Sequence, residues 1–80
     1  MSALRKYVAK EVEPSPIYDG TDQIVIEIFN PDSNRSLNVV TDIGSFKVAR
    51  LSARLFGAKQ ISVSVNTGEP IVGVFCIVGS

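Results

Sequence analysis

Five carboxylates, Glu11, Glu13, Asp19, Asp22 and Glu27, are the side chains of this 80-residue chain that could pair for general acid–base work. They are strung along a charged N-terminal segment and one strand-like run, the usual distribution of solvated surface acids. The chain has no histidine and a single thiol, Cys76. A Ser/His/Asp or Cys/His arrangement is therefore impossible, as is any two-histidine metal site. Cys76 stands in an apolar run with no cationic neighbour, which marks an inert thiol rather than a nucleophile. It cannot close an internal disulfide, which fits a reducing compartment. The glycines at 20, 44, 57, 68, 73 and 79 form no phosphate-cradling cluster. These residues predict a chain that is not an enzyme and carries no cofactor and no metal.

The basic residues offer a different chemistry. Lys47, Arg50 and Arg54, at spacings of three and four, share one side of a helix, with Lys59 nearby. Such a stripe could meet phosphates, could pair with carboxylates of a protein partner, or could be a solvated face. No aromatic residues interleave with these charges, as a single-stranded RNA platform would need. Eight basic residues balance eight acidic ones, so the chain has no long-range field to draw in nucleic acid or an anionic membrane.

Positioning these groups requires a fold, and the length sets one small domain. Residues 1–20 mix charges and small residues and break at Pro14 and Pro16, which reads as an arm of open conformation, helix, strand or disordered, ahead of a domain over 21–80. "QIVIEIFN" (23–30) is β-branched and aromatic and closes on turn formers. "SLNVVT" (36–41) is a shorter strand. In "DIGSFKVARLSARLFG", Asp42 or Ser45 as N-cap and Gly57 as C-cap bound a helix over about 45–56, whose Phe46, Ala49, Ala53 and Phe56 form an apolar stripe. "ISVSV" (61–65) alternates strictly, "NTGE" turns, and 71–78 returns as the second arm of a hairpin. The expectation is an α+β domain, an antiparallel or mixed sheet of three to five strands with one helix on one face.

The last strand is apolar on both sides: Val72, Val74, Cys76 and Val78 alternate with Ile71, Phe75 and Ile77. One helix covers only one face of a sheet. Either the arm folds over the second face, or that face docks into another protein. The residues marked for partner contact are accordingly Lys47, Arg50, Arg54, Lys59, Val72, Val74, Phe75 and Ile77. No apolar run is long enough to span a bilayer as a helix, and no hydrophobic signal core opens the chain, so a soluble, unprocessed, cytoplasmic protein is expected.

The stretch "RLSARLFGAKQISVSVNTGEP" resembles the C-terminal part of the small phycobilisome linker polypeptides, the CpcD-like domain family. Arg50 and Arg54 fall near that family's helix arginines, Gly57 near its first glycine, and Thr67, Gly68 and Pro70 match a Thr-Gly-x-Pro turn. The resemblance implies a structural linker of the photosynthetic antenna, seated in a ring of pigment proteins on the cytoplasmic or stromal side of a thylakoid membrane. Two other classes fit the residues: a small nucleic-acid-binding regulator using the basic helix face, and a homo-oligomeric virion or assembly component whose final strand pairs with its own copy.

Overall fold

Buried and exposed positions alternate residue by residue along much of the chain, the period of extended backbone. The computed structural model describes residues 4–79, and these are all β. The strands are β1 (Arg5–Glu11), β2 (Ser15–Asn30), β3 (Leu37–Thr41), β4 (Gly44–Val48), β5 (Ser52–Val65) and β6 (Ile71–Gly79). They form one sheet in the order β1-β6-β2-β5-β3-β4. The neighbours in that order are antiparallel. A short parallel pairing, Lys10 with Ser64 and Glu11 with Val65, brings β1 onto the end of β5 and closes a small barrel. Among the described residues no helix is long and apolar enough to cross a membrane.

The expected α+β domain is thus corrected to an all-β fold. Residues 45–56 are not a helix: Ser45–Val48 belong to β4, Ala49 to Leu51 form a tight connection, and Ser52–Phe56 open β5. Leu51 makes that corner with φ at 53°, a left-handed conformation no helix interior contains. The supposed apolar stripe is split: Phe56 is buried, Phe46 half-buried, and Ala49 and Ala53 are exposed. The sheet has six strands rather than three to five, because the segment read as an arm supplies β1 and lengthens β2, and the segment read as a helix supplies β4; residues 1–3 lie outside the described residues. The strands at 61–65 and 71–78 are present, but no ladder joins them as a hairpin. β2, sixteen residues long, lies between β5 and β6 and pairs with both.

The inward positions make one core. Ile26 and Ile28 of β2, Leu37 and Val39 of β3, Val48 of β4, and Ile61 and Val63 of β5 are fully enclosed. Each such side chain stabilises by about 1.5–3 kcal/mol relative to exposure. The inward register of β5 breaks once. Ala58 and Ile61 are buried with Lys59 and Gln60 both exposed between them, and β2 opposes this bulge with the irregular segment from Asp19 to Ile24. Asp42, in the two-residue turn between β3 and β4, accepts the N–H groups of Lys59 (2.8 Å) and Gln60 (3.1 Å), while its own N–H donates to the Gln60 carbonyl (3.2 Å).

At the other end of the barrel a polar side chain enters the core. Asn30, the last residue of β2, is fully buried. Its Nδ2 donates to the carbonyls of Arg35 (2.9 Å), Val48 (3.1 Å) and Ala49 (3.3 Å), and its Oδ1 accepts the Asp32 N–H (3.0 Å). Asp32 extends the network. Its Oδ1 accepts the N–H groups of Asn34 and Arg35, both at 2.8 Å, and its Oδ2 meets the Arg35 guanidinium at 2.8 Å. Arg35 in turn donates through Nη1 to the carbonyls of Thr67 (2.8 Å) and Glu69 (2.7 Å), tying down the turn before β6, where Gly68 takes φ at 92°.

β1 is locked by an aromatic that uses the space of a glycine. Tyr7 is the ladder partner of Gly73, and a Cβ built on Gly73 would collide with the Tyr7 ring. The ring lies across β6, and its hydroxyl donates to the Phe29 carbonyl of β2 at 2.6 Å, at the end of the β2–β6 ladder. Burial pushes the Tyr7 phenol up to about 12.

Two mutations test this packing. Asn30→Ala removes the donor to three carbonyls and leaves buried groups unpaired, so it is expected to lower unfolding stability by about 3 kcal/mol in urea titrations. Gly73→Ala is expected to cost more than about 1 kcal/mol through overpacking against Tyr7 and much less in a Tyr7→Ala background. Additive effects in that double-mutant cycle would show that the ring does not fill the glycine's space.

Candidate docking face

The basic residues singled out by spacing do not form a stripe. Lys47 stands on β4, Arg50 in the β4–β5 connection, Arg54 at the start of β5 and Lys59 in its bulge. Arg54 occupies the inward register of β5, level with Ile28. Its guanidinium covers the rings of Phe46 and Phe56, 5.2 Å from each centroid, and donates to the Lys47 carbonyl at 3.0 Å. The two rings stack tilted, 5.7 Å apart. Arg54 therefore clasps the seam between the edge strand β4 and β5. A cleft of about 550 Å³ opens beside it and brings Lys47 and Arg54 together; Arg50 and Lys59 do not line it.

The β6 residues divide by face. Phe75 is buried and Ile77 half-buried, both packed in the core, so neither presents a contact surface. Val72 and Val74 point outward with Cys76 and Val78, and Val72 is 57% exposed. The arm that could have covered them lies beside β6 as β1, within the sheet rather than over it. It adds to the apolar surface: Val8 is the ladder partner of Val72. On the other side Phe29 of β2 is level with Val74 and is followed by Ala53 of β5, while Glu27 is level with Cys76 and Leu55. Leu55 is 58% exposed and Phe29 38%. A shallow groove of about 210 Å³, lined by Lys6, Phe29, Pro31, Val72, Gly73 and Val74, runs along this surface.

Val8, Val25, Phe29 and Leu55 were not marked by the sequence reading. The signal was present for two of them: in "QIVIEIFN" the positions alternating with Ile24, Ile26 and Ile28 are Val25, Glu27 and Phe29, an apolar majority on the side that should be polar. Among the described residues no group of three or more Cys, Asp or Glu side chains is gathered to hold a metal ion.

The two perturbed carboxylates belong to the scaffold. Hydrogen bonds from the Asn34 and Arg35 amides hold Asp32 below the usual carboxylate range, and those from Lys59 and Gln60 do the same for Asp42. A carboxyl depressed in the folded state contributes stability above its unfolded pKa near 4 and loses it as pH falls through the folded value. The melting temperature is expected to fall on acidification below about pH 4, and Asp32→Asn or Asp42→Asn to flatten that fall. An identical slope in both variants would place the acid sensitivity elsewhere.

No protein family, curated protein or solved structure matches this chain.

Proposed function

We propose that the chain is a non-catalytic protein that docks into a larger protein assembly through the outer face of β1, β6, β2 and the start of β5. The observation that carries this reading is the uncovered second face of β6, widened by Val8, Phe29 and Leu55 from its neighbours. Exposed apolar side chains scattered singly are ordinary on a small protein, but a contiguous patch across four strands is the mark of an interaction surface. The absence of histidine and of a second thiol from the sequence agrees with a binding role. Small phycobilisome linkers are one assembly component of this type, to which residues 49–70 are similar in their Thr67-Gly68-Glu69-Pro70 turn; the arginine helix of that likeness has no counterpart here. A nucleic-acid regulator is the weaker reading, because Arg54 is engaged on Phe46, Phe56 and the Lys47 carbonyl.

The test is the size of the native particle that contains the chain in a source lysate. Val72→Asp, at an exposed position, is expected to leave the fold intact and to weaken incorporation more than about tenfold. Arg50→Glu with Lys59→Glu is expected to leave incorporation unchanged. Incorporation that survives Val72→Asp but fails in the basic-residue variant would reverse the two readings.

A further inference from the structure

We infer that the occupant of this face is a second copy of the chain, related by a two-fold axis that crosses β6 between Val74 and Cys76. The inference rests on the reading of the face as a docking surface and names its partner. Two charged side chains are set within the apolar patch, Lys6 of β1 and Glu27 of β2. They have opposite signs, lie on opposite sides of β6, and among the described residues form no ion pair within the chain. Lys6 is level with Val74 and Glu27 with Cys76, so they sit on a diagonal two strands and one row apart. With strands about 4.8 Å apart and same-face rows about 6.8 Å apart, their backbones are about 12 Å from each other.

An isologous contact demands a self-complementary patch. Two such faces brought together about an axis through the middle of that diagonal place Lys6 of each copy on Glu27 of the other. Both charges are then paired, and the valines and Phe29 meet apolar surface. A heterologous partner would have to supply a matching acid and base on the same diagonal, whereas a second copy has them by construction. The zero net charge of the chain leaves no long-range repulsion between copies. Four strands by four rows, with the breadth of the side chains, cover roughly 20 by 25 Å in projection, about 500 Å² and so at the small end of what specific interfaces bury per partner. Val74 and Cys76 flank the axis, one on each side and each close to it, so the chain's single thiol lies near its copy.

The experiment is light scattering on the purified full chain over about 1–200 µM, a range that brackets micromolar affinity. Wild type is expected to dimerise, Lys6→Glu and Glu27→Lys each to weaken the dimer about tenfold or more, and the double variant to recover it, since the exchange of charges restores both pairs. A short bis-maleimide is expected to link wild-type subunits through Cys76 and to fail with the single variants at the same concentration. A wild type that stays monomeric throughout overturns the inference, as does a dimer indifferent to both charge reversals. If the chain is monomeric alone while Val72→Asp still shrinks the native particle, the docking face stands and belongs to a different protein. If Val72→Asp changes neither, the docking reading falls with it.

Discussion

The buried amide of Asn30 is the point at which three separate pieces of chain are held to one another. A carboxamide with two donors and one acceptor, shut off from water, must find partners inside the fold, and it finds them at Asp32 and Arg35 in the loop that follows β2 and at the end of β4. The hand-over from Asn30 to Asp32, and from Asp32 to Arg35, carries the same ordering out to the turn before β6. An apolar residue at position 30 would fill the space yet leave those carbonyls without donors. The long ribbon of β2 and β5 therefore has its neighbours placed by a few directional bonds as much as by the non-directional core.

Closure and docking are two answers to the same problem. A sheet with one apolar face must bury it, and this chain does so by curling upon itself until β1 touches β5. Curling hides only the inner face. The outer apolar residues on β1, β6 and β2 are left out of that solution, and they cluster where the strands are long and regularly paired rather than around the bulge and the turns. The other end of the sheet is treated differently: β4 carries Lys47 outward and has its carbonyl there engaged by Arg54, which blunts it as a template for strand addition.

The strand at 23–30 and the one at 61–65 were legible because β-branched residues alternate there without interruption. The helix misreading has a definite physical origin. Arg54 sits at an inward position at the mouth of the barrel, where an aliphatic would ordinarily stand, while Ala53 and Leu55 face out; this inverts the alternation that would announce a strand. The corner at 49–51 has neither glycine nor proline, since Leu51 adopts the left-handed conformation itself. The chemistry assigned to Asp42 was that of a helix cap accepting backbone amides, and it does accept two, but from the bulge of β5. The pairing of β6 with β2 rather than with β5 has no local signature, because a turn fixes only that the chain reverses, not which strand it returns beside.

Every ladder partner of β1 lies more than fifty positions later in the chain. Loop-closure entropy must be met before such contacts repay it, so a barrel sealed this way belongs to the slow class of small folds. While the segment from Arg5 to Glu11 waits for Ser64 and for β6, the inner row of Ile26, Ile28 and Phe75 is open along one seam, beside an outer row that is apolar as well. During that interval a newly made copy offers hydrophobic surface on both sides of the same strands. Such two-sided exposure before closure is the condition under which slow-folding β chains are prone to aggregate, whatever the stability of the finished barrel.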